Sequence, residues 1–333
     1  MRRAIALGVA CLAAALAAGT AGSTPAARTL RVGLVVNAGT EPGTRNIVAL
    51  PYLGFVRAVR RFGVEGRVVR VAPNGDATSA LTLLARRRYD LVVMADPNNA
   101  GSLDRVALAF PNVRFLLPDA PLAILPHRPR NVQGTDFRAG EAAYLAGYLA
   151  GLMERRRPGR DVVGSVGGFK FPGVDRWIVA FQAGARRAAP GVVTLNAYTG
   201  DFVVAAKCRT AALGQIARGA GVVFQVAGAC GLGTLEAARE KGVWGIGVDV
   251  DESYLGPHVL TSAVIRSDRS VEEAIEHLVD GTFTTGGDTV FDLADGGVAL
   301  GRISPGVPAE LRRRVERVRR AIVAGQIAVP RIT

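Results

Sequence analysis

Histidine is nearly absent from this chain. His127, His258 and His277 are the only three, and no two stand at metal-ligand spacing. Histidine-based metal sites draw on closely spaced pairs, so none is expected here, and no cofactor either. Catalytic signatures are missing too. No G-x-S-x-G elbow occurs, and the run at 164–170 (GSVGGFK) lacks the spacing of a phosphate-binding loop and the Ser/Thr after its lysine. It reads instead as a tight strand-to-helix turn lining a cleft. Without an acid/base cluster, no catalytic residue is assigned and no enzyme is expected.

Lysine is also scarce. Only Lys170, Lys207 and Lys241 contribute to the 41 basic residues behind a formal charge of +13. Arginine clusters at 86–88, 155–157 and 312–314, but none is interleaved with aromatics and no nucleic-acid module accompanies them. These runs read as solvated helix faces, with no nucleic-acid partner. Long apolar runs are limited to residues 4–18. That run follows Arg2 and Arg3 and gives way to small and polar residues, the pattern of an export signal over 1–27. It is shorter than the ~20 residues a membrane span needs. Cys11 follows Leu7-Gly8-Val9-Ala10, only a loose lipoprotein box, so lipidation there is not expected.

What is present is alternation. Apolar strand signals at 30–37, 67–72, 91–95, 113–117 and 123–125 are separated by helical patterns running through Arg61 and over 79–88. A long helical pattern at 140–154 then opens a second set. Its strands fall at 162–166, 192–198, 222–226 and 243–248, and its helices near 174–188, 204–214 and 234–240. Further helices are expected at 270–279 and 310–324. Strand and helix signals in alternation mark a parallel, doubly wound α/β sheet. Two such arrays joined near residue 135 predict two facing lobes, since 333 residues exceed one ordinary core.

Ligands bind such sheets at the carboxyl ends of the strands. Gly228, in the run 228–233 (GACGLG), lets a polar ligand approach backbone amides closely. Asp249 and Asp251 end a strand. Asp251 suits helix capping, whereas Asp249, among apolar neighbours, suits ligand contact. Phe202 follows Gly200-Asp201 at another strand end, where an aromatic ring can stack on a planar ligand.

Residues 222–265 carry FQVAG-x-x-GLG, EAA-x-EKG, GIGVD-x-D and VLTSA in that order. With TDF at 135–137, EAAYLAG at 141–147, VGSVGG at 163–168, YTGDF at 198–202 and DGGV at 295–298, they resemble the basic membrane protein family. That family comprises ABC-transporter substrate-binding proteins and includes the purine nucleoside receptors. The resemblance covers roughly residues 30–325. It implies a type I periplasmic-binding-protein fold, with two Rossmann-like lobes, a ligand cleft and three hinge crossings. Lobe 1 would hold 28–135 plus 266–288, and lobe 2 would hold 136–265 plus 289–333. Phe202 matches the family's base-contacting phenylalanine, Asp249 its ribose-binding aspartate, and Gly228 a nearby backbone contact.

The first loop departs from the family pattern. Asn37 stands where aspartate is usual, only Asn46 matches within 39–46, and Ile265 replaces a lysine. Asn37, Asn46, Asp96, Asp136, Phe202, Gly228 and Asp249 form the expected ligand set. Cys208 and Cys230 remain after signal removal. They lie in neighbouring strand-end regions of an exported chain, and a disulfide between them is expected. The implied role is an extracytoplasmic, monomeric receptor delivering a nucleoside to a membrane permease. A sugar or signalling-molecule receptor, and more remotely a nucleoside-processing enzyme, are the alternatives.

Overall fold

The computed structural model describes residues 28–38, 49–72 and 75–332. The expected signal at 1–27, with Cys11, and Asn46 lie outside these residues.

The first sheet contains β1 (Arg31–Asn37), β2 (Glu65–Val71), β3 (Leu91–Met94), β4 (Arg114–Leu117) and β5 (Val132–Phe137), joined by α1 (Leu50–Phe62), α2 (Thr78–Arg86) and α3 (Ala100–Ala109). The second contains β6 (Val162–Gly167), β7 (Val193–Tyr198), β8 (Val222–Val226), β9 (Trp244–Asp249) and β10 (Val259–Ile265). Its helices are α4 (Ala139–Glu154), α5 (Pro172–Ala188), α6 (Ala205–Ala217) and α7 (Gly231–Lys241). The chain then runs through α8 (Ser267–Val279), β11 (Asp288–Phe291), β12 (Val298–Leu300) and α9 (Ala309–Val323).

Strand order is β11-β5-β4-β3-β1-β2 in one sheet and β12-β10-β9-β8-β6-β7 in the other. Every pairing is parallel except β10 with β12. The chain therefore passes between sheets after β5, after β10 and after β11. β5 and β11 pair through Phe137 and Phe291, so the first sheet extends slightly past residues 135 and 288.

The central strands β3, β6 and β8 are buried along their whole length. Helices cover both faces, which is why these strands read as continuous apolar runs and not alternating ones. α4 is buried nearly all round, because it lies between the second sheet and α5 and α9. Glycine permits that crossing. A Cβ on Gly147 would sit 1.9 Å from the Phe181 carbonyl oxygen, and one on Gly184 2.0 Å from that of Tyr144. The two backbones touch at the half of α5 away from the cleft. The stripe Leu311, Val315, Val318 and Ile322 of α9 is buried as its spacing predicts.

One expected strand is not one. Residues 123–125 fall in a 3-10 turn, Leu122–Ile124, following Pro121. Leu122 and Leu125 turn inward while Ile124 faces out, a turn-like spacing that three apolar residues cannot distinguish from a strand. The strand of that region is β5, whose polar Gln133, Thr135 and Asp136 disguise it.

Candidate functional site

Both sheets reverse direction of winding once, between β1 and β3 and between β6 and β8. Strand ends diverge at such switch points and leave a crevice. Here the two crevices face one cavity of about 730 Å³. The first lobe contributes Asn98, Asp119, Pro121 and Asp136, and the second contributes Phe171, Arg176, Trp177, Phe202, Gly228 and Asp249.

The aromatic wall is built on glycine. Phe202 lies against the backbone after β6, where a Cβ on Gly168 would fall 2.3 Å from its ring. The run at 164–170 thus seats an aromatic side chain. Phe169 and Phe171 flank Phe202, with centroids 5.3 Å and 6.3 Å away. Phe169 and Phe171 are both exposed. The Cys208–Cys230 disulfide, with Cα atoms 5.6 Å apart, ties α6 to the turn after β8. Cys230 N–H donates to the Phe202 carbonyl at 3.0 Å. The bridge therefore holds both Phe202 and Gly228, whose φ of 54° suits glycine.

Acids supply the opposite character. Asp119 follows β4 and Asp249 ends β9, and both adopt left-handed backbone with φ of 68° and 65°. Only four non-glycine residues do so among those described. Aspartate tolerates this region better than most side chains, and strain of this kind gathers at ligand sites. Burial pushes the Asp119 carboxyl up to about 7, aided by the Asp249 charge and opposed by Arg176. Burial likewise pushes Asp249 up to about 6, again opposed by Arg176. Behind Asp249 lies buried Glu252, raised to about 7 chiefly by desolvation. It accepts hydrogen bonds from Gln225 Nε2 at 2.7 Å and Val248 N at 3.2 Å.

Of the expected set, Asp136, Phe202, Gly228 and Asp249 line the cavity. Asp96 borders a smaller adjoining space of about 110 Å³, shared with Asn98 and Asp119. It accepts from Asn98 N at 2.9 Å and from Asn37 Nδ2, so Asn37 stands one hydrogen bond behind the wall. Asp201 turns away to cap α6, accepting from Val203 N, Val204 N and Lys207 Nζ. Asp251 accepts from Ser253 N and Arg302 N, tying its own turn to the segment after β12, while Glu252 and not Asp251 stands at the N-cap of the short helix that follows. Ile265 lines the cavity as an apolar residue.

Asp119, Phe171, Arg176 and Trp177 were not anticipated. Asp119 had a signal in Pro118-Asp119-Ala120-Pro121 directly after a strand, and Phe171 had one in Phe171-Pro172 at a helix start. Arg176 resembled any other helix arginine. Among the described residues no group of three metal-ligating side chains gathers, and no helix is long and apolar enough to cross a membrane.

Comparison with known proteins agrees with this architecture. Residues 50–333 match the model of the family described as ABC transporter substrate-binding protein PnrA-like. The ABC transporter nucleoside-binding protein BmpA of Lactococcus lactis is 30% identical over 250 residues, 66% of this chain and 70% of the relative. An ABC transporter solute-binding protein from Conexibacter woesei superposes with a TM-score of 0.71 at 27% identity, covering 91% of this chain and 99% of the other. One from Aeropyrum pernix shares the fold, with a TM-score of 0.75 at 23% identity over 91% and 94% of the two chains. The chain belongs to the PnrA-like family of ABC-transporter substrate-binding proteins, extracytoplasmic proteins that bind a small ligand for a membrane permease and are not enzymes.

Proposed function

We propose that the ligand is a nucleoside, captured between the lobes with its base against Phe202 and Phe171 and its hydroxyls on Asp249 and Asp119. The observation that carries this is one cavity holding aromatic side chains beside two carboxylates. Aromatic faces suit a base, and ionised carboxylates accept from a diol. The nucleoside-binding relative supports it. In this reading Asp136, Asp96 and Gly228 complete the wall, Asn37 stands behind it, and Asn46 is a further ligand contact expected from the sequence. The lobes divide close to 28–135 plus 266–288 and 136–265 plus 289–333, with β5 and β11 carrying the first lobe on to Phe137 and Phe291. The mature protein is an exported monomer lacking residues 1–27 and not lipidated at Cys11.

A sugar is the second reading, favoured by one observation. The first-lobe wall presents Pro97, Asn98, Pro121 and Ile124 but no aromatic among the described residues, so stacking is one-sided. Calorimetric titration of signal-free, ligand-stripped protein with purine and pyrimidine nucleosides, free bases and ribose separates the two. Saturable nucleoside binding lost in Phe202→Ala supports the first reading. Binding of ribose or other sugars alone replaces it with the second.

A further inference from the structure

Arg176 is the one cationic side chain lining the cavity among the described residues. It projects from the second turn of α5, one turn beyond Pro172, on the face shared with Gly173 and Trp177. The helix that carries it packs closely on α4, where Gly147 and Gly184 bring the backbones together. Around it stand Asp136 from the first lobe and, from the two strand ends, Asp119 and Asp249.

Despite this company one of its donors has no partner among the described residues. A guanidinium carries five N–H donors. The Nε of Arg176 is fully covered with no acceptor. The contact of Nη1 with Asp136 Oδ1 is 3.9 Å, an ion pair across the lobes but beyond hydrogen-bond reach. Buried polar groups are nearly always satisfied, so a cleft residue this underused points to a partner that arrives from outside. That partner must offer lone pairs, because Arg176 can only donate. The carboxylates beside it can only accept when ionised, and so they require hydroxyl or amine donors.

We infer that Arg176 is a specificity-determining residue of the cleft: it donates to an acceptor atom of the bound ligand while pairing with Asp136 of the opposite lobe. One side chain then reads the ligand and joins the lobes. The matching ligand carries hydroxyl or amine donors on one part and an acceptor oxygen or nitrogen on another. This rests on the cleft being the ligand site and deepens that reading by naming the residue that meets the ligand's acceptor atom. A polyol can satisfy Arg176 as well, because a hydroxyl oxygen accepts while its O–H donates, so the ligand panel and not Arg176 alone separates nucleoside from sugar.

The test compares wild type with Arg176→Met and Arg176→Lys. Titrations use the nucleosides, bases and ribose above, and ligand-free melting is followed from pH 4.5 to 8.5. Arg176→Met is expected to weaken binding of whichever compound the wild type takes by about 10- to 100-fold, the range for a charged hydrogen bond. Arg176→Lys restores part of this, since it keeps the charge but not the fork. Without ligand, Arg176→Met loses the cation facing Asp119, Asp136 and Asp249, so its melting temperature falls more steeply than wild type between pH 5 and 8. A folded Arg176→Met that binds like wild type overturns the inference. If the wild type takes none of the compounds, the nucleoside reading fails, and the pH profiles still decide. Coincident profiles would remove Arg176 from the carboxylate cluster and with it the inference.

Discussion

The two lobes wind the same way and differ in what they place at equivalent strand ends. β1 and β6, β3 and β8, and β4 and β9 occupy matching positions in the two strand orders. At the first pair, Asn37 in one lobe faces Gly167 and Gly168 in the other. At the second, Asp96 corresponds to Gly228. The first lobe closes its switch point with an Asn37–Asp96 hydrogen bond. The second leaves its own open, and Phe202 lies in the space the glycines free. Only the third pair agrees, with Asp119 and Asp249 sharing both residue type and left-handed backbone. Repetition of the fold thus sets where side chains can meet a ligand. Local residue size decides whether a wall is polar or aromatic.

The largest expected effect breaks the second lobe alone. Gly147→Val places a side chain against the α5 backbone, where no flexible neighbour can yield, and overpacking of this kind costs about 3 kcal/mol or more. Early melting of the second lobe in hydrogen exchange would show it, and uniform protection would contradict the backbone contact. Next, the Cys208→Ser/Cys230→Ser double variant opens a loop of sequence separation 22. A loss of about 3 kcal/mol follows from the chain-entropy account, read as a lower denaturation midpoint that chemical reduction of the wild type reproduces.

Phe202→Ala tests the aromatic side of the comparison. Ligand affinity should fall about 30-fold, equivalent to roughly 2 kcal/mol of lost apolar contact and stacking. Ile124→Ala, on the facing polar lobe, should change it far less. Equal losses in calorimetry would mean that the lobes share the apolar contact.

The smallest effect concerns the one feature the lobes have in common. Asp119 and Asp249 titrate near 7 and 6, above the ~3.9 of an unfolded aspartate. Their protonated forms therefore contribute stability that is present below pH ~4 and lost as pH rises through 6 and 7. Asp119→Asn keeps a neutral group there and tolerates the backbone. It should leave the melting temperature at pH 4.5 unchanged and raise it at pH 8 by a few degrees, about 1 kcal/mol after allowing for partial solvent screening. Asp249→Asn should do the same, with the difference complete nearer pH 6. A flat difference across that range would place the titration elsewhere.

Phe202, Gly228 and Asp249 were legible because each ends a recognisable strand, and in a doubly wound sheet strand ends are where ligands meet the fold. The disulfide was legible for a related reason, since neighbouring strand ends lie close whatever the loop details. Asp201 and Asp251 also follow strands, yet their carboxylates fold back onto backbone amides two or three residues on. Such local bonds compete with any ligand, and nothing in one-dimensional order reveals which wins.

The amino-acid order by itself determined the alternation of strands and helices, their division into two arrays, the glycine and aspartate strand ends and the two paired cysteines. These are local properties: periodicity, propensity and turn chemistry act within a few residues. Only the tertiary structure decided that Arg176 of the second lobe meets Asp136 of the first, that Asp119 faces Asp249, and that Gly168 exists to seat Phe202. Those relations join residues tens of positions apart, and they depend on the phase of α5, the closeness of two helix backbones and the approach of one sheet to the other. None of these distances is encoded by any short stretch of chain.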